Sequence, residues 1–225
     1  MGFVIYGDIH GCLDEFKELR KIVPQNQTEV CVGDLIDRGE YDKEVLDYVE
    51  KNNIISVLGN HEYKHLRKYK GNKVQLDENQ KFVNKQLTKQ NFEFISKMPF
   101  FIKDNNLTIL HAGINNSFDL SKDNLSLILF FREVDENGNF LNLIHDNPNA
   151  RYWAEIYDGS NGFIVNGHQP FSEVTKFPNS VAIDTGCVYG NKLSAIYIKD
   201  TTKPWEYEVF SVPSKKQYVE YYKPL

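Results

Sequence analysis

Six side chains of the kind that hold metal ions, Asp8, His10, Asp34, Asn60, His111 and His168, stand in short glycine-bounded segments. These are Gly7-Asp8-Ile9-His10-Gly11, Gly33-Asp34-Leu35-Ile36-Asp37-Arg38-Gly39, Gly59-Asn60-His61-Glu62, His111-Ala112-Gly113 and Gly167-His168. Asp8, Asp34 and Asn60 recur at a spacing of 26 residues, the length of a compact strand-helix repeat, so their side chains should lie abreast. Carboxylate, amide oxygen and neutral imidazole together suit a pair of divalent transition ions better than an all-oxygen calcium site or a thiolate site. Taken singly, an aspartate in a Gly-Asp turn is more often a helix cap or Asx-turn. Coincidence favours the metal reading: four of the six histidines, His10, His61, His111 and His168, occupy these segments. His65 and His145 fall outside them and are read as surface residues.

The elements that must position these groups follow from periodicity. Phe3 to Tyr6 is a short apolar run ending at Gly7-Asp8. A stretch from Leu13 to Val23 then places Leu13, Phe16, Leu19, Ile22 and Val23 on one helical face. Val30 to Val32 reads as a second strand, Tyr41 to Val49 as a helix and Ile54 to Leu58 as a third strand, each strand followed by glycine and a metal-type residue. Such N-terminal βαβαβ units predict a largely parallel sheet with right-handed crossovers, whose strand ends converge on one ligand-bearing edge. The polar stretch from Tyr63 to Asn91 is predicted helical, with Phe82, Val83 and Leu87 as its apolar contacts, and should form a cap beside the site. Strands at Leu107 to Leu110, Phe163 to Val165, Val181 to Ile183, Leu193 to Ile198 and Tyr207 to Val212 suggest a mostly antiparallel second half. Asn115 to Ala150, poor in periodicity and rich in Asn and Asp, reads as a long loop or mobile insert near the substrate.

The fold class expected is α/β in one domain spanning residues 1–225, with a helical cap at about 63–100 and a loop insert at about 115–150. The 225 residues suffice for one large core, and 41% hydrophobic with 25% charged residues is an ordinary globular composition. A net charge of -5 argues against a broad nucleic-acid surface, though not against a local basic pocket. Cys12, Cys31 and Cys187 lack any CxxC spacing, so free thiols in a reducing compartment are expected. No apolar stretch is long enough to span a bilayer, and a cytoplasmic location is expected.

The ordered set GDIHG, GDLIDRG, GNHE, HAG and GH resembles the phosphoprotein phosphatase branch of the calcineurin-like metallophosphoesterases, whose fold is a β-sandwich flanked by helices. The stretch from Ala150-Arg151-Tyr152-Trp153-Ala154 through Ile183-Asp184-Thr185-Gly186-Cys187 is most similar to bacterial members. These include small protein phosphatases, dinucleoside-tetraphosphate hydrolases and the phosphatase domain of polynucleotide kinase-phosphatases. The resemblance implies two divalent ions, with manganese the first expectation and iron, zinc, nickel or magnesium as alternatives. It implies that Asp8 and His10 bind the first ion, that Asp34 bridges, and that Asn60, His111 and His168 complete the second. Two cations about 3.5–4 Å apart would share one hydroxide for in-line attack on phosphorus.

By the same resemblance His61 is the general acid and Asp37 orients it. Arg38 is expected to grip phosphate through its planar donors. Arg151 is the first candidate for a second phosphate clamp, with Arg132 the runner-up, although Trp153 beside Arg151 fits a packing turn equally well. Asp184 is either an outer partner of the metal site or a turn cap. Leu58 stands where eukaryotic protein phosphatases carry an arginine before GNHE, which weakens the case for a phosphoprotein substrate. The main expectation is a serine/threonine-type protein phosphatase or general phosphomonoesterase. The alternative is hydrolysis of dinucleoside polyphosphates or of nucleic-acid ends, and a catalytically dead scaffold is disfavoured because no ligand or acid is missing.

Overall fold

The computed structural model of the chain describes residues 2–141 and 147–220. Strand β1 (Phe3–Tyr6), helix α1 (Leu13–Ile22), β2 (Thr28–Cys31), α2 (Asp42–Lys51) and β3 (Ile55–Ser56) form the expected parallel βαβαβ unit, with Phe3 opposite Thr28 and Val30 opposite Ile55. α1 carries Asp14 and Glu15 in its first turn and Arg20 and Lys21 in its last, charges that complement the helix dipole. Leu13, Phe16 and Leu19 bury its apolar face, but Ile22 is 51% exposed: the helix stops there, and Val23 turns inward in extended conformation instead.

The polar stretch resolves into three helices, α3 (Asn60–Tyr69), α4 (Glu78–Gln86) and α5 (Lys89–Ile95). Asp77 with Gln80 and Thr88 with Asn91 form capping boxes that start α4 and α5. Val83 and Leu87 are buried as expected, whereas Phe82 is exposed because it lies on the opposite face of α4. α3 begins at Asn60, so Asn60 and His61 ride on its first turn.

β4 (Phe101–Asp104) and β5 (Leu107–Leu110) open a second sheet. The segment after them is ordered rather than a bare loop: a 3-10 turn at Leu125–Leu129 and a small sheet of β6 (Glu133–Val134), β7 (Phe140–Leu141) and β8 (Arg151–Tyr152) bury Ile128, Leu129, Phe131 and Val134. His145 lies outside the described residues. β9 (Phe163–Asn166), β10 (Thr175–Phe177) and β11 (Ser180–Ala182) complete the second sheet in the order β10-β11-β9-β5-β4. Its centre is parallel, β5 with β9 and β9 with β11, and only its edge pairs are antiparallel. The expectation of a mostly antiparallel sheet is therefore corrected. The long chain between β5 and β9 can return the strand in the same direction, which a hairpin cannot. As a result His111 and His168, just past β5 and β9, emerge on one edge. β12 (Lys192–Ile198) and β13 (Tyr207–Pro213) form a hairpin that joins the first sheet beside β1.

The two sheets pack face to face. Ile5, Val30, Val32 and Ile196 meet Leu107, Ile109, Val165 and Val181 between them, while Val4, Tyr6 and Cys31 face the helices. This alternation is the period-two pattern of a strand with both faces covered, and each fully buried aliphatic contributes about 1.5–3 kcal/mol. Cys12, Cys31 and Cys187 are buried and free. Among the described residues no helix is long and apolar enough to cross a membrane.

Candidate active site

The strand-end loops converge where the two sheets meet, and they do so in strained backbone. His10, Asp34, Asp37, Arg38 and His168 have φ of 45°, 49°, 71°, 75° and 69°. The other described non-glycine residues with positive φ are all asparagines, Asn26, Asn53 and Asn105, the residue type that best tolerates this region. Each such non-glycine position costs about 1–3 kcal/mol and persists only where its surroundings over-determine it. Around Asp34 the restraint is Glu62. Its buried carboxylate accepts the backbone N–H groups of Asp34 (2.9 Å), Leu35 (2.8 Å), Ile36 (3.2 Å) and Gly59 (3.2 Å). In the sequence Glu62 is simply the last residue of Gly59-Asn60-His61-Glu62; its position three residues after Gly59, that of a capping-box acid, is the signal that marks it as a loop organiser. Gly167 is required for a different reason: a Cβ there would overlap the Asp8 carboxylate.

Asp34 sits at the centre. Its Oδ2 faces His10 Nε2 at 3.6 Å and His61 Nε2 at 3.8 Å, while its Oδ1 faces His111 Nε2 at 3.4 Å. Two groups of donors whose atoms lie within 4.8 Å of one another share this residue, one with His10 and His61 and one with His111 and His168. Oδ1 of Asn60, Nε2 of His111 and Nδ1 of His168 form a triangle of 2.8, 3.0 and 3.1 Å. Asp8 lies alongside, both of its oxygens accepting the His168 N–H at 3.1 Å. All six expected metal-type residues are thus brought together, and His61 joins them.

The electrostatics suit cations. His10 and His111 donate Nδ1–H to the carbonyls of Ile36 (2.8 Å) and Val32 (2.9 Å), which turns the Nε2 lone pair of each toward Asp34. Burial, then Arg38, pushes His10 down to about 3, and burial, then His111 and Arg132, pushes His168 well down, so both rings are neutral as ligation requires. Burial opposes ionisation of Asp34, but the imidazoles of His111 and His61 that face it overcome burial and hold its carboxyl well below the usual range. Burial, followed by the charges of Asp184 and Asp34, pushes Asp8 well up. Carboxylates crowded this way are what a bound cation relieves.

Around this floor opens a cleft of about 740 Å³. His61 Nδ1 donates to Asp37 Oδ2 at 2.6 Å, leaving Nε2 toward Asp34. His65 is not a surface residue: it is fully buried and its Nε2 donates to Asp37 Oδ1 at 2.8 Å, because α3 carries it one turn beyond His61 on the same face. Arg38 Nη1 reaches His10 Nε2 at 2.7 Å and Arg132 Nε reaches His168 Nε2 at 2.9 Å, so the two arginines flank the donors from opposite sides. Arg151, the first candidate, is exposed on β8 and is not among the described residues lining the cleft. Tyr152 beside it turns inward to Asn166, and successive strand residues point to opposite faces. Asp184 Oδ1 caps the turn at Gly186 N (2.9 Å), and its burial raises its carboxyl to about 6.

Residues 1–208 match the calcineurin-like phosphoesterase family, and the chain belongs to it. It is a metallophosphoesterase, a phosphoester hydrolase of a family of binuclear metal enzymes. In particular it is 32% identical, over 100% of both chains, to the bis(5'-nucleosyl)-tetraphosphatase PrpE [asymmetrical] of Anoxybacillus flavithermus. It is also 32% identical, over 98% of both chains, to the protein of the same name from Bacillus subtilis. A solved structure proposed to be a diadenosine tetraphosphatase shares the fold at a TM-score of 0.79 with 23% identity, covering 95% of this chain and 93% of that one.

Proposed function

We propose that this enzyme hydrolyses dinucleoside polyphosphates such as diadenosine tetraphosphate, cutting asymmetrically to a nucleoside monophosphate and a nucleoside triphosphate. This replaces the protein-phosphatase expectation with its alternative. The observation that carries it is a wall of cations running beyond the donor floor. Lys64, Arg67 and Lys73 line the cleft with Arg38 and Arg132, beside the acids Asp37 and Asp77; Lys64 donates to the neutral Gln80 at 2.6 Å and Arg67 lies over the Tyr63 ring at 5.7 Å. Some lysines elsewhere on the surface are instead held by acids, as Lys81 is by Glu78 and Lys122 by Asp119. One scissile phosphate can use Arg38 and Arg132; three further cations suit further phosphates on the same substrate. The names of the full-length relatives support the same substrate class.

Asp8, His10, Asp34, Asn60, His111 and His168 would hold two divalent ions, manganese by expectation, on lone pairs that already converge. Such a pair supplies a lowered water pKa and neutralises charge on the phosphate. Arg38 and Arg132 orient the scissile phosphoryl group from either side. A water gives up one proton to bulk solvent and its oxygen bonds to phosphorus as the P–O bond to the leaving phosphate breaks, and His61 Nε2 gives the leaving oxygen its proton while Asp37 holds Nδ1–H. Helices α3 to α5 act as the cap that carries the cationic wall, and free buried cysteines fit a cytoplasmic setting.

Anion-exchange chromatography of diadenosine tetraphosphate incubated with the protein and Mn²⁺ tests this. AMP and ATP in equal amounts are expected. No cleavage contradicts the substrate, and two ADP contradicts the asymmetry.

A further inference from the structure

Resting on the reading of His61 as proton donor, we infer that His65 is a positioning residue for the reaction, acting through Asp37 from behind the site and tied by Asn84 to the α4 cap helix.

Asp37 is gripped from both sides by imidazoles of the same helix. His61 Nδ1 takes Oδ2 at 2.6 Å and His65 Nε2 takes Oδ1 at 2.8 Å, with all three residues buried. His61 and His65 are four residues apart on α3, so one helical face presents both rings to one carboxylate. The far nitrogen of His65, Nδ1, receives the Asn84 side-chain N–H at 3.0 Å. A ring nitrogen that accepts carries no proton, so Asn84 selects the neutral tautomer with its hydrogen on Nε2, where Asp37 needs a donor. The chain Asn84–His65–Asp37–His61 therefore has one direction of donation from the cap to Asp37.

His65 spends both nitrogens on this chain. Asp37 also needs the restraint, because it sits at φ 71° in a loop whose next residue is at φ 75°. Without His65, the Asp37 carboxylate can rotate about its side chain, and the His61 ring follows it away from the leaving oxygen.

The leaving group reports this. A nitrophenolate departs readily without a proton, whereas a phenolate needs one. Rates of the Mn²⁺-loaded full chain on 4-nitrophenyl phosphate and phenyl phosphate are compared for wild type and variants. His61→Asn should lose about 100-fold on phenyl phosphate and at least about tenfold less on the nitrophenyl ester. His65→Leu should show the same bias at about tenfold. His65→Gln, whose amide can still donate to Asp37, should recover most of it. Asn84→Ala, at a half-buried position that tolerates truncation, should show a smaller bias of about threefold. In metal-free protein, the low-field proton resonance of His61 Nδ1–H should move and exchange faster in His65→Leu and Asn84→Ala.

Equal losses on both esters in His65→Leu and Asn84→Ala, with the His61 resonance unmoved, overturn the positioning role. If His65→Leu does not fold, an unbiased Asn84→Ala with an unmoved resonance does so alone. An unbiased His61→Asn overturns the proton-donor reading and this inference with it. None of these outcomes depends on whether diadenosine tetraphosphate is cleaved, so failure of that substrate is read separately.

Discussion

The floor of the cleft and its wall are built on opposite terms. On the floor, Asp34, His10 and His111 are buried, the loops of His10 and Asp34 hold positive φ, and Glu62 ties four backbone N–H groups beneath them. On the wall, Arg67 and Lys73 are exposed, Lys64 is half-buried, and all three hang on α3 or the chain just after it. Under the proposed function, chemistry falls to the buried, braced floor, while recognition of the rest of the substrate falls to long side chains with a few neutral contacts. A change in the floor should therefore act on kcat and metal content, and a change in the wall on KM for long substrates.

The largest effect expected is from Asp34→Asn, which removes the one carboxylate common to both donor groups. Metal analysis should find affinity reduced beyond the about 10–100-fold that removing an outer partner costs, with turnover falling in step. Full metal occupancy in this variant would separate Asp34 from the metals. Glu62→Gln comes next. It trades a buried carboxylate for an amide that repels some of the same N–H donors, and should cost about 3 kcal/mol in urea unfolding; a loss under about 0.5 kcal/mol would remove Glu62 as the brace of the floor.

On the wall, replacing Lys64, Arg67 and Lys73 together by alanine should raise KM for diadenosine tetraphosphate about tenfold, since exposed charge contacts are worth about 0.2–1 kcal/mol each. The KM for 4-nitrophenyl phosphate should move far less; equal shifts for both substrates would dissolve the distinction between floor and wall. The smallest effect is one of pH. Burial, then the charge of Asp37, pushes Asp42 up to about 7, above the value near 3.9 of an unfolded aspartate. The folded state thus binds the proton more tightly, and stability falls as pH rises from about 4 to 7. Asp42→Asn should raise Tm by a few degrees at pH 8, on a scale of about 2–4 °C per kcal/mol, and by less at pH 5. A gain that is the same at both values would contradict the buried charge.

The floor was legible in the sequence because its residues are locked to glycines at strand ends, where a turn, a close approach and a ligand coincide. The βαβαβ order followed from the even spacing of Asp8, Asp34 and Asn60. The direction of the second sheet was not legible. It depends on how residues 111 to 162 return the chain to β9, and that stretch has little periodicity. Which of Arg132 and Arg151 faces the cleft was not legible for the same reason, since it turns on which face of a two-residue strand looks toward the cleft. His65 stands one helical turn after His61, but the sequence reading starts the helix at Tyr63 and leaves His61 outside it, so their shared face became visible only once α3 was seen to begin at Asn60. The wall was hidden in a lysine-rich stretch whose charges resemble any solvated surface until the fold aims them at the site.

The most direct measurement is kcat/KM of one wild-type, Mn²⁺-loaded preparation for diadenosine tetraphosphate and for a phosphoserine peptide. Three added phosphate contacts of about 0.5 kcal/mol each predict a preference for the dinucleotide of about tenfold. Equal efficiencies, or a preference for the peptide, would contradict a floor that cuts phosphoesters beneath a wall that selects polyphosphates.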